Sequence, residues 1–280
     1  MVDRFGVGWV ETLVASNASP LTLEGTRTYV LGPSPCLVID PGPGLADHLD
    51  AVEIALGAAE VAAICVTHHH ADHAAGAAEL RLRLAAPLAA TGQSAELAGL
   101  DPPELPLSAA STVPFGGGHL EVVLTPGHCP DHVGYHWPQA EALFAGDVLL
   151  GEGTSVIAPP EGDMTAYIAT LRRLARIDVR LVYPGHGPRI DDPARLIEHY
   201  IRHRLEREAQ IVAALAAGVD TPEQVRARVY GDLDPRLQRA AEGSVAAHLA
   251  KLVEEGRVRR VGSRYRLQTE GRLDKGRPLG

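Results

Sequence analysis

Aromatic residues are scarce: three Phe, two Trp and seven Tyr make up 4% of 280 residues, so the interior is expected to rest on Ala, Val, Leu and Ile. Cysteine is scarcer still. Cys36, Cys65 and Cys129 are an odd count without framework spacing, which excludes a disulfide scaffold and suits a reducing cytoplasm. No apolar run approaches the ~20 residues of a membrane span. The chain start also lacks a basic segment followed by an apolar one, so neither membrane insertion nor export is expected. Tandem repeats and low-complexity tracts are absent too. What remains is ordinary for a globular chain, 45% hydrophobic and 22% charged, and long enough for one large core and a smaller domain.

The net charge of −9 is unevenly spread. Residues 1–199 carry 10 Lys and Arg against 24 Asp and Glu, whereas residues 200–280 carry 16 against 11. Either the C-terminal part meets something anionic, or it has an Arg-rich solvated surface.

Residues 1–195 alternate short apolar strands with amphipathic helices, among them helices expected over 71–84 and over 165–177, the latter with Asp163 near its start. Gly116-Gly117-Gly118 lies between two strands with no helix after it, so it reads as a hairpin turn rather than a phosphate loop. From Arg195 the pattern turns helical. Ile197, Ile201, Leu205, Ile211 and Leu215 form an apolar face, and Arg202–Glu206 and Arg204–Glu208 are i,i+4 pairs expected on the wet side. This connecting helix stops at Gly218. Thr221-Pro222 opens a second helix, and Ser244 is expected to cap a third that ends at Gly256. Two basic strands around Gly262-Ser263 follow, and helices followed by such a hairpin describe a winged helix. The expected division is 1–195, 196–270 and a loose tail at 271–280.

The chemistry concentrates in Thr67-His68-His69-His70-Ala71-Asp72-His73, which follows the apolar run ending at Val66. The same grammar recurs: Leu120–Leu124 is followed by Thr125-Pro126-Gly127-His128, Ala142–Ala145 by Gly146-Asp147, and Leu181–Tyr183 by Pro184-Gly185-His186. Strands of one sheet would deliver these ends to one edge. His68, His70, Asp72, His73, His128, Asp147 and His186 are too many ligands for one tetrahedral ion and suit two metals sharing a carboxylate. His68 and His70 alternate on an extended segment and would face one ion. Asp72 and His73, past the bend, would face another. Zinc suits such ligands best, with iron and manganese admissible. His69 should point away from the metals, and a sulfur contribution from Cys129 is not expected. His132 is open between a contact with ligand or substrate and a structural role. His48, His119, His136, His199, His203 and His248 read as surface or core-edge residues.

His68-x-His70-x-Asp72-His73 with His128, Asp147 and His186 in that order resembles the metallo-β-lactamase superfamily over roughly the first 195 residues. The resemblance implies a four-layer αββα sandwich followed by the winged-helix-like domain. It also implies His68, His70 and His128 on the first metal, Asp72, His73 and His186 on the second, and Asp147 bridging. Asp40 matches an aspartate that supports a ligand from behind, although a plain turn carboxylate before Pro41-Gly42 reads equally from the residues.

Gly146-Asp147-Val148-Leu149-Leu150-Gly151-Glu152-Gly153-Thr154 and Tyr183-Pro184-Gly185-His186-Gly187-Pro188 are similar to the β-lactamase-like protein 2 family, as is the region around Arg204–Glu208. That family includes endoribonucleases specific for single strands and fungal thioesterases. Arg27, where Asn is usual, and Cys129, where Thr is usual, bear on substrate preference; Arg27 is expected near the active-site rim. The implied activity is phosphodiester hydrolysis of single-stranded RNA by a metal-bridging hydroxide, with Asp72 orienting the nucleophile and accepting its proton. The alternative is hydrolysis of a small or carrier-bound acyl thioester. β-Lactam hydrolysis and a non-enzymatic winged-helix nucleic-acid binder rank below.

Overall fold

The computed structural model describes residues 1–268; the expected tail at 271–280 lies outside them. Two sheets face each other. The first runs, in spatial and chain order, through β1 (Val2–Phe5), β2 (Gly8–Val14), β3 (Arg27–Gly32), β4 (Cys36–Ile39), β5 (Val61–Cys65), β6 (Leu88–Ala90) and β7 (Leu105–Pro106). It is antiparallel as far as β4 and parallel from β4 to β7. Helices α1 (Ala46–Leu56), α2 (Ala71–Ala74), α3 (Ala77–Leu84) and α4 (Gly92–Leu97) connect its parallel strands. The second sheet has the order β12-β11-β10-β9-β8, with β8 (Thr112–Phe115), β9 (Gly118–Leu124), β10 (Val133–Trp137), β11 (Ala142–Gly146) and β12 (Leu181–Pro184). β11 and β12 are parallel and joined through α5 (Met164–Leu174).

Side-chain alternation explains the four layers. Leu31, Leu37, Ile39 and Cys65 point inward and meet Val122, Tyr135, Phe144 and Tyr183 of the other sheet. Val30, Val38 and Ile64 point outward onto Leu49 and Val52 of α1 and Leu80 of α3. On the far side, Leu143, Ala145 and Val182 meet Ile168 and Leu171 of α5. The scarce aromatics sit between the sheets rather than leaving the core to aliphatics. Phe144 stacks on Tyr183 with centroids 5.0 Å apart, and Tyr29 packs edge-on against both.

The C-terminal part comprises α6 (Pro193–Ala216), α7 (Pro222–Tyr230), α8 (Gln238–Glu254) and the hairpin β13 (Val258–Val261) with β14 (Arg264–Leu267). Asp192 and Thr221 cap α6 and α7 through their side chains. A division at residue 195 falls inside the first turn of α6, whose Ile197 and Tyr200 belong to the cluster that covers the second sheet.

Four local expectations need correction. The ligand-bearing strands come from both sheets, β5 from the first and β9, β11 and β12 from the second. The helix over 71–84 is interrupted at Ala75-Gly76, where a Cβ on Gly76 would lie 2.7 Å from the Pro41 carbonyl oxygen. Ser244 does not cap a helix: it is buried inside α8 and its hydroxyl takes a hydrogen bond from Tyr230, so tertiary contact outweighs capping preference. Arg204 and Glu208 do not pair on a wet face; both are buried, Arg204 bonding the Ser155 carbonyl and Glu208 bonding Lys251 and Arg257.

Candidate metal centre

The centre forms where the carboxyl ends of β5 of the first sheet and β9, β11 and β12 of the second meet; β5, β11 and β12 are in parallel pairs, whose carboxyl ends present ligands in open α/β sheets. β5 runs into Thr67 and His68, both fully buried; His70 is the N-cap residue of α2, and Asp72 and His73 occupy that short helix. His128 lies in the β9–β10 connection, Asp147 directly after β11, and His186 after β12. Two tyrosines tie the sheets together at this level: Tyr29 donates to the Pro184 carbonyl at 2.6 Å and Tyr135 to the Val66 carbonyl at 2.7 Å. Gly146 takes a left-handed φ of 48°, and a Cβ there would fall 2.7 Å from His132 Nε2.

Two donor groups result. His70 Nδ1 lies 3.0 Å from both His68 Nε2 and His128 Nε2. His73 Nε2 and His186 Nε2 are 3.4 Å apart, and Asp72 Oδ2 is 3.5 Å from the first and 3.3 Å from the second. Asp147 reaches both groups: Oδ1 is 3.3 Å from His73, while Oδ2 is 3.4 Å from His186 and 3.6 Å from His128.

Hydrogen bonds at the rear determine which nitrogen faces inward. His73 Nδ1 donates to Asp40 at 2.8 Å, and His128 Nδ1 to the Val156 carbonyl at 2.9 Å. His68 Nδ1 donates to Thr67 Oγ1 at 3.0 Å, and that hydroxyl donates on to Asp40 at 2.8 Å. His70 is reversed: its Nε2 donates to Glu161 at 3.0 Å, leaving Nδ1 for the centre. Inward-facing lone pairs crowd one another, and Asp147 Oδ1 is buried without a hydrogen-bond partner. A cation satisfies such a set, and imidazole with carboxylate donors suits a divalent metal. Gly185 leaves the room: a Cβ there would stand 2.4 Å from Asp147 Oδ1.

Asp40 is more than a turn carboxylate. It has a left-handed φ of 51° and accepts from the Thr67 N–H at 2.7 Å as well as from the Thr67 hydroxyl and His73. Replacing it by Asn sets an amide N–H against a donor. Metal affinity is expected to fall about 10–100-fold, as measured by titration against a chelating indicator, with activity recovering at high metal.

His69 turns away from the centre, onto Asp131 at 2.8 Å. His132 is buried and accepts the Asp147 N–H at 3.0 Å while donating to Thr125 at 2.7 Å, so it anchors Asp147 and is out of reach of substrate. Arg27 lies beside the centre, its backbone N–H bonding the Gly185 carbonyl at 2.9 Å, and its guanidinium pairs with Glu24. Cys129 stands closer than expected, with its sulfur within 4.8 Å of donor atoms of His68 and His70. Burial and neighbouring Asp131 push its thiol up, so it stays protonated. His48 and His248 are buried rather than at the surface. Sequence reasoning missed Glu161, Asp131 and Thr26, whose hydroxyl donates to Asp72 at 3.2 Å. Each lies at least 46 residues along the chain from its partner, so no local signal marked the pairing.

Burial disfavours charge throughout, yet the two groups differ. It holds His68 well below the ordinary imidazole range and lowers His128. At His73 and His186 burial acts the same way but is outweighed, chiefly by Asp147, so His73 is raised and His186 reaches about 9. Asp72 falls to about 2 because its hydrogen bond with His186 overcomes burial. Metals need deprotonated imidazoles. Below about pH 9 an ion entering beside Asp72, His73 and His186 must therefore displace protons, and its affinity should drop about tenfold per pH unit for each proton displaced. The group containing His68 and His128 should change little over that window. Calorimetry in buffers of different ionisation enthalpy should find proton release for the second equivalent of metal only; equal release for both would contradict this.

An αββα sandwich with imidazoles and carboxylates gathered at its strand ends defines a metal-dependent hydrolase. Residues 21–186 match the metallo-beta-lactamase superfamily and residues 221–272 the beta-lactamase associated winged helix domain, and the chain belongs to the metallo-β-lactamase superfamily. It is 33% identical over 270 residues to the beta-lactamase-like protein 2 homolog of Drosophila melanogaster, covering 88% of each chain. With the homolog of that name in Caenorhabditis elegans it shares 30% over 271 residues, 89% of this chain and 85% of the relative. The lactamase-like protein adaB of Aspergillus niger is 28% identical, over 89% of this chain and 81% of its own. A beta-lactamase domain protein from Burkholderia ambifaria has the same fold, with a TM-score of 0.81, 21% identity and coverage of 95% and 93%. TTHA1623, solved in a di-iron-bound form, aligns with a TM-score of 0.54 and 27% identity over 66% of this chain and 96% of its own. Among the described residues no helix is long and apolar enough to cross a membrane.

Proposed function

We propose that this hydrolase holds two divalent ions and cleaves phosphodiester bonds of single-stranded RNA. The observation that carries the two-ion reading is Asp147, whose two oxygens lie 3.3 to 3.6 Å from imidazoles of both donor groups. His68, His70 and His128 would hold one ion, Asp72, His73 and His186 the other. Bound there, two divalent cations lower the pKa of water and neutralise charge at the scissile group. Zinc is the favoured occupant for these donors; iron is the alternative, supported by the di-iron relative in fold.

Asp72 is ionised at neutral pH, held there by its hydrogen bond with His186 against burial, and Thr26 steadies the oxygen it shares with the centre. It therefore suits the task of orienting a nucleophilic water by accepting a hydrogen bond. A group at about 2 is a weak proton store. RNA is favoured by the C-terminal hairpin, where Arg259, Arg260 and Arg266 are exposed on strands that can meet phosphates outside the site, while Arg257 is tied to Glu208 and Arg264 to Asp220. A thioester reading is favoured by the apolar residues Leu21, Leu23 and Val156, which line a cavity that adjoins the centre through the Val156 carbonyl on His128.

The test is a parallel assay of purified, metal-analysed protein on single-stranded RNA, a simple thioester and a chromogenic β-lactam. RNA cleavage, with binding that weakens steeply as salt rises, is the expected result. Cleavage of the thioester alone would overturn the proposal.

A further inference from the structure

A cavity of about 380 Å³ lies between residues 20–23, the segment 150–156 and helices α6, α7 and α8. That is the size of ordinary small-molecule sites. Two features make it a built site. First, it collects cationic and donor groups with no carboxylate set against the two arginines. Arg204 is only 2% exposed, bonds one carbonyl and lies 5.3 Å from the Tyr167 ring, and its Nε has no partner. Arg207 bonds the neutral Gln210 side chain at 2.8 Å and the Val229 carbonyl at 3.1 Å through Nη1, while its Nε and His203 Nδ1 are likewise buried and unsatisfied. Among the described residues neither arginine has a carboxylate partner, and Glu152, the one acid lining the cavity, is exposed. A buried guanidinium without a counter-charge is costly, and an incoming anion removes that cost.

Second, the cavity shares its walls with the metal centre. Val156 lines it and offers its carbonyl to His128, while Gly151, at the start of the same segment, donates to the His186 carbonyl at 2.9 Å. Thr154, Ser155 and Ser244 add hydroxyls, and part of the remaining wall is apolar or aromatic: Leu233, Leu237 and Tyr230, with the Arg207 guanidinium 4.5 Å from the Tyr230 ring centroid. Such a surface receives a nucleobase while the arginines receive its phosphate.

We infer that this cavity is a nucleotide subsite, in which Arg204 and Arg207 hold the phosphate next to the scissile bond and the apolar wall holds its base. The identity of the ligand rests on the RNA reading; the existence of an anion site rests on the cavity alone. Behind it, burial together with Arg204 and other cations holds His248 down to about 3, and burial with Arg204 and Arg207 holds His203 near 4. Both histidines are therefore neutral, and the positive potential here belongs to the two arginines.

The probe is adenosine 5′-monophosphate, titrated calorimetrically into metal-loaded full-length protein, with Arg207→Gln, Arg204→Lys and, as a charge control far from the cavity, Arg180→Gln. Affinity is expected to drop at least about tenfold in Arg207→Gln and Arg204→Lys, with metal content retained, and to stay put in Arg180→Gln. Arg207 is half-buried, so its variant keeps the test sound if the Arg204 variant fails to fold. Equal affinity in wild type and Arg207→Gln would place the nucleotide on the metals alone and overturn the subsite, even if RNA is cleaved. Arginine-dependent binding without RNA cleavage would keep the subsite and sink the RNA reading.

Discussion

Asp147→Asn is expected to lose both metal occupancy and turnover, with kcat/KM falling by at least about a thousandfold. Three features of its position explain the size of that effect. Among the described residues its carboxylate alone stands between the two donor groups, within 3.3 Å of His73 and 3.6 Å of His128. It is held well below the ordinary carboxylate range, against its burial, by His73 and His186. Its backbone is fastened by His132, so a neutral side chain would sit where the carboxylate sits and still fail to balance two cations. The near-ultraviolet circular dichroism of the variant should match the parent, which separates loss of metal from loss of fold. Elemental analysis after dialysis should find one ion or fewer per chain. A variant that retained two ions and normal turnover would remove Asp147 from the centre.

A chain ended at Ile197 should not yield a folded catalytic domain. Tyr200 is fully buried; its hydroxyl accepts from the Leu150 N–H at 3.2 Å and donates to the Gly153 carbonyl at 3.0 Å. Arg204 holds Ser155, and Ala247 of α8 completes the cluster over the second sheet. Truncating one buried aromatic costs about 3–5 kcal/mol, while a whole domain is stable by only about 5–15 kcal/mol. Removing Tyr200, Arg204 and the packing of α8 together is therefore comparable with the entire margin. The segment they clamp, residues 150–156, carries the carbonyl that orients His128, so metal binding should fail along with the fold. Size-exclusion chromatography and a thermal scan check this: aggregation without a cooperative transition is expected. Tyr200→Ala in the full chain should remain folded but about 3–5 kcal/mol less stable. A soluble, cooperative, metal-binding fragment 1–197 would show that the helices of the C-terminal part are dispensable.

Much of the centre was legible because ligand chemistry is local. His68, His70, Asp72 and His73 lie within six residues of one another, and His128, Asp147 and His186 each follow a strand of recognisable pattern. The helix caps at Asp163 and Thr221 are local signals of the same kind. What failed to show were partners separated by long stretches of chain. Glu161 behind His70 and Tyr200 against residues 150–153 carry no pattern of their own. Arg204 and Glu208 have ideal helix spacing for a surface pair. That spacing says nothing about which face of α6 another domain will cover.

The residue types and their spacing alone determined that this chain builds strands ending in imidazoles and carboxylates, because strand periodicity and ligand chemistry are properties of a few adjacent residues. Tertiary structure decided that the ligands come from two facing sheets, that His70 presents Nδ1 where His73 and His128 present Nε2, and that two arginines of the connecting segment are drawn inside. Those outcomes depend on which surfaces exclude water together, and only the folded chain brings such surfaces into contact.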